Sequence, residues 1–189
     1  MSLQQFLDFW SSPPQYAGPD PIGGLYRAYV VAKAELAELK SKGRLYIVPG
    51  KNSRGQWIPV FDNDCTDDIA VLSSDITAAK DKLKSICNDI EKVFSLAGGP
   101  SQINIQSEHE QLKKSIIAAE GAAHALAKGA IASRGRTTKP LRPDEVARLP
   151  EVEAAYANAD GLRTANEPRI EELFGKLDQI REIAEKYRD

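Results

Sequence analysis

The chain has 189 residues, 42% hydrophobic and 28% charged, which is enough apolar material for a buried core and argues against wholesale disorder. Twenty-five Lys and Arg against 27 Asp and Glu leave a net charge of −2, so the molecule as a whole is neither a polybasic nucleic-acid binder nor an acidic mimic. No apolar run approaches the ~18 residues a membrane-spanning helix needs, and the start MSLQQFLDFW lacks the basic stretch of a secretory signal.

The chain opens on a short apolar arm, residues 1–19, carrying Leu3, Phe6, Leu7, Phe9 and Trp10 ahead of a breaker run from Ser11 to Pro21. An arm this short cannot stand alone; it docks on the main body or inserts into a partner, which makes Phe6, Phe9 and Trp10 interaction candidates. Residues 20–189 read as one helical bundle domain. Asp20 and Pro21 have the chemistry of an N-cap followed by proline in the first turn. Ile22, Leu25, Tyr29, Ala32, Leu36 and Leu39 then alternate spacings of 3 and 4, one apolar stripe of an amphipathic helix that Gly43 ends.

The only strand-like material lies at 44–61. Arg44–Val48 and Gln56–Phe61 are rich in β-branched and aromatic residues and flank PGKNSRG, a run of turn formers. This predicts a β-hairpin with a basic tip, Lys51 and Arg54. Pro49 and Pro59 belong at edge positions because they cannot donate to a ladder. A lone two-stranded ribbon is marginal in water, so this one packs on helices or is completed by a partner, with Trp57 as the candidate anchor.

Asp64 or Thr66 is placed to cap a second helix whose first turn holds Asp67 and Asp68. Ile69, Leu72, Ile76, Ala79, Leu83, Ile86, Ile90 and Val93 continue the 3/4 spacing until Gly98, Gly99 and Pro100 stop it. A third helix is expected from Ser107, which with Glu110 matches a capping box. Its stripe is Leu112, Ile116, Ala119, Ala123, Leu126 and Ala130, and the short connection predicts an antiparallel pair with the helix before it. Residues 133–143 read as a linker. From Val152 to Tyr187 one phase is kept, with Pro168 predicting a kink or a break.

Several chemistries find no support. Cys87 lies along a helix that starts near Thr66, which puts it about 30 Å from Cys65 at the helical rise, so no disulfide is expected. His109 and His124 are about 22 Å apart along one helix and cannot share a metal. Asp62 and Asp64 begin a calcium-loop pattern that fails at Asp67 and Ser73. Gly50-Lys51 is not a phosphate-binding loop, since Leu45 stands where a glycine is required. No cofactor, metal or catalytic motif emerges, and the chain reads as non-enzymatic.

Charge alternates along the chain: +3 over 1–61, −4 over 62–100, +4 over 101–143 and −5 over 144–189. Such blocks suit helices packed side by side or copies stacked head to tail. The expectation is a mainly α protein, an antiparallel helical bundle or coiled-coil-like hairpin with one inserted β-hairpin. Its expected function is protein–protein interaction or self-association as a structural assembly subunit, in the cytoplasm or in an assembled particle. One alternative is a nucleic-acid backbone binder using Arg134, Arg136, Lys139 and Arg142 of the linker together with Lys51 and Arg54, though without an interleaved aromatic platform. The other is an inhibitor or adaptor that binds one partner protein through the hairpin and Trp57.

Overall fold

The computed structural model describes residues 3–11, 22–134 and 142–188. Over these the fold is mainly α with one inserted hairpin: α1 (Leu3–Ser11), α2 (Ile22–Gly43), β1 (Ile47–Lys51), β2 (Trp57–Phe61), α3 (Thr66–Ala97), α4 (Ile103–Arg134), α5 (Pro143–Ala147) and α6 (Pro150–Glu185). Two compact units divide it, Met1–Ser101 with Ile180–Asp189, and Gln102–Gln179.

In the first unit α2 packs along α3, and the stripes expected of both helices meet. Ile22, Leu25, Tyr29, Ala32 and Leu36 are buried on α2, and Ala79, Ile86, Ile90 and Val93 on α3. Ile69, Leu72, Ile76 and Leu83 are only half-buried, so the core thins toward the hairpin end. The arm forms α1 and docks on α2 and α3. Phe6 is 0% exposed and Trp10 8%, and the indole N–H of Trp10 donates to the Pro100 carbonyl at 3.1 Å. Each such side chain contributes about 1.5–3 kcal/mol through the area it removes from water. Phe6 and Trp10 thus belong to the chain's own core, which is the docking on the main body that the sequence offered as one alternative. Phe9 is half-buried with its ring edge-on to Trp10 at 5.3 Å.

The second unit is a helical hairpin of α4 and about the first eight turns of α6, with α5 beside α4. A polar ladder fixes its register. Glu108 takes two bonds from Arg169 at 2.8 and 3.1 Å, Ser115 accepts from Asn166 at 3.5 Å, Glu120 pairs with Arg163, and His124 Nδ1 meets the Tyr156 hydroxyl at 2.9 Å. Partner numbers fall as α4 numbers rise, so the helices run antiparallel. Beneath the ladder Ile105, Ile116, Ala123, Val152, Ala159 and Leu173 are buried, with Val146 of α5.

Four local expectations change. The first strand starts at Ile47, because Arg44–Tyr46 form a 3₁₀ turn. Neither Asp64 nor Thr66 caps α3: Asp62 accepts the Asp64 N–H at 3.1 Å one turn earlier, and Cys65 occupies the N-cap without a side-chain bond. α4 begins at Ile103, four residues before the expected cap, since burial of Ile105 draws in an extra turn. Ser107 and Glu110 instead accept from Gln111 and Gln106, both at 3.3 Å along the helix. Finally, of the two alternatives at Pro168 the break is overturned, since α6 runs through it as one helix. Thr164 and Pro168 are both exposed, so water can satisfy the carbonyl that the proline leaves without a donor.

Candidate interaction surface

The hairpin joins α2 to α3, and no residue from Arg44 to Asp68 is buried. Its tip is a three-residue loop. The Asn52 N–H donates to the Gln56 carbonyl at 3.0 Å, and the Gly55 N–H to the Asn52 carbonyl at 2.9 Å. Asn52 Oδ1 accepts from the N–H groups of Arg54 at 2.9 Å and Gln56 at 3.0 Å. Gly55 has φ of 75°, the left-handed conformation this loop needs at its third position and that glycine adopts without a steric cost. The loop thus fixes the register: Ile47 opposite Phe61, Val48 opposite Val60, Pro49 opposite Pro59, Gly50 opposite Ile58 and Lys51 opposite Trp57.

That register decides what each side presents. Side chains of directly opposed residues share a face. One face carries Ile47, Pro49, Lys51, Trp57, Pro59 and Phe61, and all six are exposed. Trp57 is 68% exposed, Phe61 58% and Ile47 44%; Leu45 in the preceding turn reaches 81%. The other face carries Val48, Gly50, Ile58 and Val60, of which only Ile58 is exposed. Among the described residues this apolar surface is therefore left uncovered, with the Lys51 ammonium 4.8 Å from the centre of the Trp57 ring.

The edges behave differently from the face. The bonds at Asn52–Gln56 and from Asp62 N–H to the Tyr46 carbonyl mark the even-numbered rungs of β1 as the bonded ones. Pro49 and Pro59 consequently face each other at a non-bonded rung, where backbone groups point outward. The ladder loses nothing by their missing N–H, while each outer edge lacks its central donor. An added strand would find that gap on either side.

The expected nucleic-acid residues are dispersed by comparison. Lys51 and Arg54 share the hairpin tip and both are exposed. Contrary to the expectation of no aromatic platform, Trp57 stands beside Lys51. Arg142 lies at the start of α5, its N–H donating to Glu145 at 2.8 Å. Arg134 ends α4, and Arg136 and Lys139 lie outside the described residues. Among the described residues no polar or charged side chain is buried. No cluster of three His, Cys, Asp or Glu side chains is disposed to hold a metal there, and no helix is long and apolar enough to cross a membrane. Cys65 and Cys87 are free thiols; burial first, then nearby carboxylates, push both above the ordinary thiol range.

Comparison with known protein families, curated proteins and solved structures finds no match to this chain.

Proposed function

We propose that the protein is a non-enzymatic assembly subunit that self-associates through the exposed face of its β-hairpin. The observation that carries this reading is the uncovered Ile47, Trp57 and Phe61 face on a hairpin whose register is locked. A second copy is the occupant this surface suits. Lys51 is its one charge, so two such faces offset in register repel little. A two-stranded ribbon, marginal alone, gains the second layer it lacks by stacking on another like it. Proline at the middle of both edges favours contact through the face over strand addition.

The test is mass in solution over a wide concentration range for the wild type and a Trp57→Ser, Phe61→Ser variant. The wild type is expected to gain mass with concentration while the variant stays monomeric. A wild type that remains monomeric throughout, or a variant that associates equally well, would overturn the reading.

The Lys51–Trp57 pair supports a second reading, binding of single-stranded nucleic acid with a base stacked on Trp57 and phosphates on Lys51 and Arg54. It expects quenching of Trp57 fluorescence by a single-stranded oligonucleotide, lost as salt rises and absent in Trp57→Ser. No quenching at low salt would dismiss it.

A further inference from the structure

A groove of about 460 Å³ lies within the first unit, between α2, α3 and the residues following α6. Its shape depends on Gly24. A β-carbon there would stand 2.8 Å from the backbone carbonyl oxygen of Tyr187, so only glycine lets the end of the chain lie directly on α2. The Tyr187 phenol then donates to Asp89 at 2.7 Å, and the Lys186 ammonium stands 3.4 Å from the same carboxylate.

Ala28 and Ile86 give the groove an apolar floor, while Arg27, Lys82, Lys186 and Arg188 surround it. These four cations come from three separate chain segments, and among the described residues no carboxylate lines the groove. Lys82 pairs with Glu35 at 2.8 Å, and Arg188 with Glu185 at 2.8 Å, so three of the four are balanced by carboxylates set back from the lining. Arg27 has no carboxylate partner among the described residues and keeps a guanidinium fork suited to phosphoryl oxygens. A concave site with convergent cations over an apolar floor concentrates anions. Ser85 also lines the groove, its side chain hydrogen-bonded to the Tyr187 phenol.

We propose that this groove binds a small phosphoryl-bearing anion, with Arg27 as the principal contact and Lys82 and Lys186 flanking it. Calorimetric titration of the full chain with inorganic pyrophosphate and with ATP tests this. Saturable one-site binding that weakens with salt is expected. Arg27→Gln should weaken it roughly tenfold or more, the loss of a charge-assisted contact, and Lys186→Gln should weaken it less. Lys33→Gln, on α2 outside the groove, should leave it unchanged. Tighter binding of ATP than of pyrophosphate would add a base on the apolar floor to the site, and equal binding would confine it to the phosphoryl groups. The proposal is overturned if neither probe binds saturably at millimolar concentration, or if Arg27→Gln binds as the wild type does while keeping the same helical circular-dichroism spectrum.

Discussion

Two tryptophans in this chain occupy opposite environments, and the contrast is measurable. Trp10 is enclosed by α2 and α3 with its N–H bonded to Pro100, whereas Trp57 lies open on the hairpin. Replacing Phe6, the enclosed neighbour of Trp10, with alanine should cost about 3–5 kcal/mol of unfolding free energy. Trp57→Ala should change it by no more than about 0.5 kcal/mol, because an exposed side chain leaves no cavity. Denaturant unfolding of both variants checks the pair, and a large loss from Trp57→Ala would mean that its face is covered within the chain. Gly24→Ala belongs at the same scale. The new methyl would meet a backbone carbonyl, which cannot rotate aside, so a loss of about 1–3 kcal/mol is expected in the same measurement.

Among the elements, α4 and α6 share a ladder of exposed polar pairs, Arg169–Glu108 and Arg163–Glu120 among them. Hydrogen bonds from Lys176 and then Arg169 pull the Glu172 carboxyl down to about 2, and Arg169 also holds Glu108 below its ordinary range. Both are depressed values, so whatever they contribute is present above the ordinary carboxylate pKa and is lost as pH falls toward the folded value. Between about pH 4.5 and about pH 2 the advantage of wild type over Arg169→Ala in thermal melts should shrink and vanish. These groups are solvent-exposed, so the difference will be small even at neutral pH. A gap that persisted unchanged to pH 2 would show that Arg169 acts by packing instead.

Helix existence and the buried faces of α2 and α3 are legible in the 3/4 spacing, because both helices bury one stripe and solvate the rest. Other features are not legible for identifiable reasons. Ser107 and Glu110 have capping-box spacing, yet they sit inside α4 because burial of Ile105 extends the helix backward. Pro168 looks like a break, but its lost bond falls on a wet face. Phe6, Trp10 and Trp57 are alike as residue types, and nothing local tells an aromatic that covers its own chain from one left bare. The signal that could have sorted the hairpin is its two-residue period: 47, 49 and 51 share a side with 57, 59 and 61 once the loop length is known.

At the scale of the molecule, the two units are unequally cored. The first buries large side chains from α1, α2, α3 and the end of α6, including Phe6, Ile22, Leu25, Ile90, Val93 and Ile180. The second buries fewer, Ile105, Ile116, Val152 and Leu173 among them. Local opening free energy follows buried apolar contact, so backbone amides in the middle of α4 should exchange with deuterium faster than those around Ile86–Val93 of α3. Equal protection would mean that the second unit draws stability from a source its own core does not contain.

The facing prolines of the hairpin also bear on how far association can go. A bare apolar ribbon is an invitation to fibre growth, in which each new chain hydrogen-bonds to the last. Here the middle rung offers no amide proton on either flank, so under the proposed self-association recruitment is expected to end once faces are covered, with complexes closing at a finite size. Concentrated solutions should therefore stay clear and take up no amyloid dye, whereas replacing Pro49 and Pro59 together with valine should allow filaments to form.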